Sequence, residues 1–319
     1  MNIQDWPSDW AVLLVAFEPN SAQIMEWKSM VERGVPLWIW NNSPQGKDGQ
    51  ATMELWRDFP QDRMLGALDH GGLGQALPLA WAALHARGFG RALYLDQDAV
   101  WSIRTLEWIG AYWTQLGERA MNYPWVQFRG KSTEYQSILK VSDHDQEEGT
   151  LQVPDMDLGG SSITMPTPSR LVMTNGVWVD IPRSSALAGA FVPFHQDALD
   201  YQWCWEWFQR GVQVAWVSGC PDLHHSLWVP GRELVFMGRK WRFKDSPTAR
   251  RQAFLRNMSL LARDAFVKGQ GAWAWTMVRN LLSDRVYAVL FGILSKFCAV
   301  SSIQPERNSS GGYNAEAER

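Results

Sequence analysis

The stretch AVLLVAFEPN, residues 11–20, decides the architecture. Ala11 to Phe17 is a continuous apolar run of strand length that stops at Glu18-Pro19-Asn20, and such runs suit a strand buried on both faces of a parallel sheet. Ser21 is placed to cap a helix reaching about Arg33, with Ile24, Met25, Trp27 and Met30 on an apolar stripe and Gly34 as its stop. Pro36 to Trp40 reads as a second strand ending in the turn cluster Asn41-Asn42-Ser43-Pro44, and a short strand follows a polar loop at Met64 to Leu68. Gly71-Gly72 opens a helix over Leu73 to about Ala86, Gly88 and Gly90 end it, and Arg91 to Leu95 is a strand running into Asp96-Gln97-Asp98. Strand-helix units at this spacing predict a doubly wound α/β sheet, in which ligands sit outside the carboxyl ends of the strands. Every polar cluster just named falls at such an end.

The middle of the chain is less regular. Residues 143–162 are acidic and Gly/Ser-rich and read as a loop or flap. Beyond Asn175-Gly176, Val177 to Ile181 alternates like a strand, Leu199 to Arg210 reads as a helix stopped by Gly211, and Val212 to Val217 is another strand, followed by Leu223-His224-His225. Helix resumes from Ser246, with Pro247 at its first position, and again over about Ala272 to Val300. The expected division is a catalytic domain over 1–235, a basic amphipathic helical extension over 236–300 and a disordered polar tail over 301–319.

Composition narrows the function classes. The 319 residues carry 30 Lys and Arg against 33 Asp and Glu, which argues against a nucleic-acid partner, and 46% hydrophobic content is enough for a large core. Three widely spaced cysteines, Cys204, Cys220 and Cys298, form no C-x-x-C pattern and imply neither a disulfide framework nor a zinc ribbon. The polar, acidic residues 1–9 lack a secretory signal pattern, and the longest apolar run, Val286 to Leu294, is too short to span a bilayer. A cytoplasmic location is the expectation.

Three constellations can carry chemistry. Asp96-Gln97-Asp98 at a strand end offers two carboxylates able to face Mg²⁺ or Mn²⁺ and the diphosphate it bridges, although a bare D-x-D is more often a solvated turn. In Asp197-Ala198-Leu199-Asp200, Asp197 suits a helix cap as well as chemistry, whereas Asp200 heads an aromatic segment expected to bury it, and a partly desolvated carboxylate can act as a general base. His224-His225 at a strand end is a weaker metal-ligand signal, since one of two adjacent histidines is usually structural.

The order of AFEPN at 16–20, NNSP at 41–44, DHGGLGQAL at 69–77, LYLDQDA at 93–99, NG at 175–176, DALDYQWCW at 197–205 and LHHSL at 223–227 resembles the family 2 glycosyltransferases. Within them it is most similar to the bacterial rhamnosyltransferase-like branch that builds surface polysaccharide, and the resemblance covers about residues 10–260. It implies a GT-A fold and inversion of the anomeric centre of a nucleotide-activated sugar. It also implies that Phe17, Glu18 and Asn41 form the floor for base and ribose, and that Gly72, Leu73 and Gly74 approach the nucleotide. Asp98 then matches the metal-bound aspartate, Asp96 its partner toward ribose or metal, His225 a late metal or diphosphate ligand, and Asp200 the catalytic base. Asn175 and Gly176, with Asp197 and Trp203, line the junction of donor sugar and acceptor. The implied cofactor is Mg or Mn and the acceptor a polysaccharide or lipid-linked glycan; rhamnose is the donor sugar the branch favours, with a galactofuranose or hexose donor left open.

Three positions depart from that pattern: Asn41 where an aspartate is frequent, Gln202 where a glutamate is common, and Glu206 where an arginine is common. They motivate the alternative of a non-catalytic sugar-nucleotide-binding or assembly protein on the same fold. A nucleotidyltransferase would want a Gly-rich loop with Arg or Lys in the first strand-helix turn, and AFEPNSAQ lacks one. Trp203, Trp205 and Trp207 flank the proposed base, where they are expected to stack on an acceptor sugar. In the extension, the basic run from Arg239 to Arg256 beside Trp273 and Trp275 suits either packing on the catalytic domain or a peripheral membrane contact.

Overall fold

The computed structural model describes residues 6–43, 50–67, 72–97, 99, 101–116, 122–130, 166–173, 176–194, 197–223, 231–236, 239–244, 248–294 and 300–303. The chain divides into two compact units, Met1–Ser226 and Leu227–Arg319.

In the first unit the strands are β1 (Trp10–Ala16), β2 (Leu37–Asn41), β3 (Met64–Ala67), β4 (Arg91–Asp96), β5 (Trp125–Gly130), β6 (Thr167–Ser169), β7 (Val177–Asp180) and β8 (Val214–Cys220). Among the described residues, the α-helices between them are α1 (Ser21–Glu32), α2 (Gln50–Asp58), α3 (Gly72–His85), α4 (Ile103–Leu116), α5 (Ile181–Ala188) and α6 (Leu199–Gln209). The strands form one eight-stranded mixed sheet in the order β3-β2-β1-β4-β7-β5-β8-β6. β1 is buried along its whole length, as its apolar run requires, and pairs in parallel with β2 on one side and β4 on the other. The chain moves outward from β1 through β2 to β3, and α3 then returns it so that β4 takes the other flank of β1. The strand order reverses there, so the loops after β1 and β4 leave in opposite directions and open a crevice at the carboxyl ends of these two strands. The α/β class and doubly wound mixed sheet expected from the sequence are what the chain adopts.

The antiparallel strand β7 lies between β4 and β5, and β8 continues in parallel beyond β5. Aromatic side chains pack this half. Trp113 of α4 stacks on Trp178 of β7 with ring centroids 4.1 Å apart, and Trp108 stacks on Tyr112 one turn along the same helix. Arg91 places its guanidinium over Trp178, 5.4 Å from the ring centroid. The large Trp content of the chain is mostly spent on this core, since most of the described Trp side chains are buried. Asn20, not Ser21, caps α1: its side chain accepts from the Gln23 N–H while the Gln23 side chain accepts from the Asn20 N–H.

The second unit contains a three-stranded antiparallel sheet, β10-β9-β11, of β9 (Gly231–Phe236), β10 (Arg239–Lys244) and β11 (Val300–Ile303), together with two long helices, α7 (Thr248–Val267) and α8 (Gly271–Leu294). The unit boundary falls before the expected 235, because β9 pairs with β10 and β11 rather than with the first sheet. The basic residues 239–244 form a strand where the sequence suggests a helical extension; Trp241 and Phe243 alternate with cations there, which is a period of two. Residues 301–303 of the expected tail belong to β11, and 304–319 lie outside the described residues, as does the loop expected over 143–162. Among the described residues, no helix is long and apolar enough to cross a membrane.

Candidate active site

The crevice between β1 and β4 is built by side chains that tie three strand ends together. The Gln97 amide, one residue past β4, accepts from the Phe17 N–H and donates to the Phe17 carbonyl at 2.9 Å, so it pairs with the backbone just past β1 as a strand residue would. Gln23 of α1 donates to the Gln97 carbonyl at 3.0 Å. Glu18 takes a left-handed turn at φ 45° and donates its N–H to the Ser43 hydroxyl at 2.9 Å, while the Ser43 N–H donates to the Asn41 side chain at 3.0 Å. Phe17 is left 46% exposed at the mouth of the crevice, and Glu18 is exposed beside it. Phe17, Glu18 and Asn41, expected from the sequence to form one floor, and Asp96, expected beside it toward ribose or metal, thus come together at adjacent strand ends. Gln97 and Ser43, which hold them there, are residues that sequence reasoning misses. Their signal is available: a glutamine between two aspartates at a strand end, and a serine opening a turn.

Asp96 ends β4 with its carboxylate accepting from the Tyr94 hydroxyl, which reaches it along the same face of the strand. Asp98 lies outside the described residues, as do Asn175 and His225. Ser102, at the entrance to α4, donates its hydroxyl to Asp222 at 2.9 Å, and Thr105 donates to the Pro221 carbonyl at 3.0 Å. Asp222 holds a left-handed φ of 54° to make this contact. The segment after Asp98 and the segment before His225 are therefore stitched to each other. A further close approach braces the second: a Cβ on Gly130 would lie 1.9 Å from the Leu223 carbonyl oxygen.

Oxygen ligands from aspartates with one imidazole suit a hard divalent cation. Of Asp96, Asp98 and His225, the three expected to hold one, only Asp96 is among the described residues, with its carboxylate oriented by the Tyr94 hydroxyl. Among the described residues alone, no group of three or more His, Cys, Asp or Glu side chains is gathered for a metal.

The described glycine positions have local structural roles. Gly72 enters α3 at a left-handed φ of 66°, a conformation that favours glycine. Gly74 serves a different purpose. A Cβ there would lie 1.8 Å from the Phe194 carbonyl oxygen, so the space it leaves is filled by the Val192–Phe194 segment and not by a ligand. Leu73 between them is half-buried. Gly176, at φ 71°, donates to the Tyr94 carbonyl at 3.0 Å and accepts from the Phe128 N–H at 2.8 Å, which fixes the corner where β4, β7 and β5 meet.

On α6, Ala198 is the N-cap residue, at φ 64° and with no side-chain cap bond, so Asp197 precedes the cap and does not serve as it. Asp197 and Asp200 are both half-buried, Asp200 in the first turn of the helix. Its charge is felt one turn on: burial pushes the Cys204 thiol up to about 12, against a hydrogen bond with the Val172 backbone that lowers it, and Asp200 adds to the rise.

Trp203 is corrected. It is 0% exposed, packed against Trp81, Trp125 and Phe191, and has no face for an acceptor sugar; Trp205 and Trp207 are buried as well.

Each of the three departures from the family pattern has a local structural role. Asn41 caps the turn at Ser43. Gln202, 7% exposed, accepts from the Phe194 N–H at 2.6 Å and donates to the Val192 carbonyl at 3.0 Å, holding the segment that fills the gap at Gly74. Glu206 pairs with Arg210 one turn on at 2.7 Å.

No family model matches the chain, and no curated protein matches it. Among solved structures, S. aureus TarS is similar at 11% identity and a TM-score of 0.44, over 86% of this chain and 43% of TarS. TarS 1–349 in complex with UDP-GlcNAc matches at 11% identity and 0.41, over 79% of this chain and 65% of that one. A protein of Desulfovibrio desulfuricans G20, described as a putative nucleotide-diphospho-sugar transferase, matches at 10% identity and 0.35, over 68% and 82%. The chain thus spans less than two thirds of the TarS chains it resembles.

Proposed function

We propose that the chain is an inverting glycosyltransferase of GT-A type that moves a sugar from a nucleoside-diphosphate donor to a hydroxyl of a polysaccharide or lipid-linked glycan. The observation that carries this reading is the crevice at the β1/β4 reversal, where Gln97 and Ser43 bring Phe17, Glu18, Asn41 and Asp96 to one floor. Exposed Phe17 offers a ring for the base, and the oriented carboxylate of Asp96 faces the ribose or diphosphate. Asp98, Asp96 and His225 would hold Mg or Mn, which supplies positive charge against the diphosphate when bound.

The chain's own residues do the rest. As the acceptor oxygen bonds to the anomeric carbon and the bond to the diphosphate oxygen breaks, Asp200 takes the acceptor proton. One carboxylate suffices, because a nucleoside diphosphate leaves without being protonated by a second acid. Rhamnose is the donor sugar that the sequence resemblance favours, and a peripheral position at the inner face of the cytoplasmic membrane would bring the site to a lipid-linked acceptor.

The alternative is a non-catalytic sugar-nucleotide-binding or assembly protein on the same fold; the local roles of Asn41, Gln202 and Glu206 offer an explanation of those departures other than loss of chemistry. The test is to incubate the protein with Mn²⁺, a panel of nucleotide sugars and glycan acceptors. Nucleoside diphosphate released only when an acceptor is present supports transfer; donor binding without acceptor-dependent release from any pair overturns it.

A further inference from the structure

The two long helices of the second unit leave apolar side chains in water. Phe266 is 76% exposed, Val267 75%, Trp275 62%, Leu260 51% and Leu282 50%. These are five of the nine large exposed hydrophobic residues among the described side chains, and they occur within this one helical pair. The same helices bury Met258, Leu261, Ala262 and Ala265 of α7 and Trp273, Ala274 and Met277 of α8, so the exposed set is a second face and not a shortage of partners throughout.

Its geometry is regular. Arg256, Leu260, Arg263 and Val267 are spaced i, i+4, i+7 and i+11 on α7, which lines them along one stripe, and all four are exposed. Trp275 and Leu282, spaced i and i+7, share a face of α8. Phe266, Val267 and Trp275 lie within about a turn of the connection 268–270, where Lys268 is paired with Asp264 at 2.8 Å, so the end of the helical pair is apolar and the cationic excess comes from the rest of the unit.

Charge separates this unit from the other. Leu227–Arg319 holds 15 Lys and Arg against 7 Asp and Glu, while Met1–Ser226 holds 15 against 26. A stripe that alternates arginine with aliphatic residues, ending in Phe, Val and Trp within a cationic unit, matches a surface that is anionic outside and apolar a few ångströms in.

We infer that the α7–α8 connection and the Arg256–Val267 stripe dock on an anionic lipid bilayer, with Phe266 and Val267 entering the acyl boundary, Trp275 at headgroup depth, and Arg256 and Arg263 on the lipid phosphates. This gives the membrane contact a location and a lipid preference, and it does not rest on the glycosyl-transfer reading.

The experiment is flotation of the full chain with phosphatidylglycerol-containing vesicles and with pure phosphatidylcholine vesicles, without any sugar nucleotide. Wild type floats with the anionic vesicles only and is released by high salt. Phe266→Asp with Val267→Asp weakens binding about 10-fold or more, and Arg256→Gln and Arg263→Gln weaken it about fivefold each. These side chains are exposed, so the thermal midpoint of each variant stays at the wild-type value. Absence of wild-type binding to anionic vesicles overturns the inference. So does binding that the charge variants weaken and the Phe266/Val267 variant leaves intact, which is adsorption without insertion. Self-association in sedimentation velocity, lost in the Phe266/Val267 variant and accompanied by no vesicle binding, assigns the face to a second copy of the chain and overturns it as well.

Discussion

Gln202→Glu is a one-atom exchange whose consequence follows from hydrogen-bond direction. The Gln202 amide is 7% exposed and serves both groups of the same segment, accepting from the Phe194 N–H and donating to the Val192 carbonyl. A carboxylate keeps the first bond and cannot make the second, and it turns an acceptor toward the Val192 carbonyl oxygen. Leaving that carbonyl unsatisfied costs about 1–3 kcal/mol, and the exposure of Val192 lets water recover part of it, so about 1–2 kcal/mol is expected. The sign of the pH dependence is fixed as well. A protonated carboxyl restores the donor, so the folded state binds that proton more tightly than the unfolded chain, and the variant recovers stability as pH falls through the raised carboxyl value. Urea unfolding of wild type, Gln202→Glu and Gln202→Met across pH 5–8 measures this. Gln202→Met, which loses both bonds, should be destabilised at every pH with no recovery. A Gln202→Glu midpoint equal to wild type at neutral pH, or one that falls further on acidification, would refute the clamp.

Other outcomes follow from the same geometry. Gly74→Ala drives a Cβ to 1.8 Å from the Phe194 carbonyl oxygen, so backbone must move, and a loss of about 1–3 kcal/mol in thermal or urea unfolding is expected, whereas Gly211→Ala, strained in backbone but with open space, should cost less. Gln97→Ala removes both bonds to Phe17, and titration calorimetry should find nucleoside-diphosphate-sugar binding weakened about 10-fold with the core still folded. The Cys204 thiol, at about 12 when folded against 9.0 for a free thiol, keeps its proton where the unfolded chain loses it. Stability is therefore unaffected below 9.0 and declines as pH rises from there toward 12; Cys204→Ala should flatten this decline in urea midpoints measured at alkaline pH.

The parallel half of the sheet is legible in the sequence because its signals are local. Continuous apolar runs at residues 11–17 and 92–95 suit strands covered on both faces, and the polar clusters that end them mark the crevice. The antiparallel insertion of β7 between β4 and β5 is not legible, since it joins residues far apart in the chain and leaves only a short alternating run at 177–181. Site residues follow the same division. Asp96, Phe17, Glu18 and Asn41 sit on strand ends that periodicity locates. Trp203 is misplaced because an aromatic segment near a carboxylate suggests a ligand platform. Trp203 and Trp205 lie two positions apart, on opposite sides of a helix, and large apolar residues on opposite sides signal a helix buried all round. Gln202 reads as a departure because its partners, on Val192 and Phe194, are acceptor and donor groups of the backbone, which no side-chain pattern reveals.

The measurement that bears most directly on the proposed chemistry is acceptor-dependent nucleoside diphosphate release by wild type and Asp200→Asn, with donor affinity measured in parallel. Removal of a general base predicts a fall in release of at least about 100-fold with donor affinity nearly unchanged. Full release by Asp200→Asn would contradict the assignment of the base.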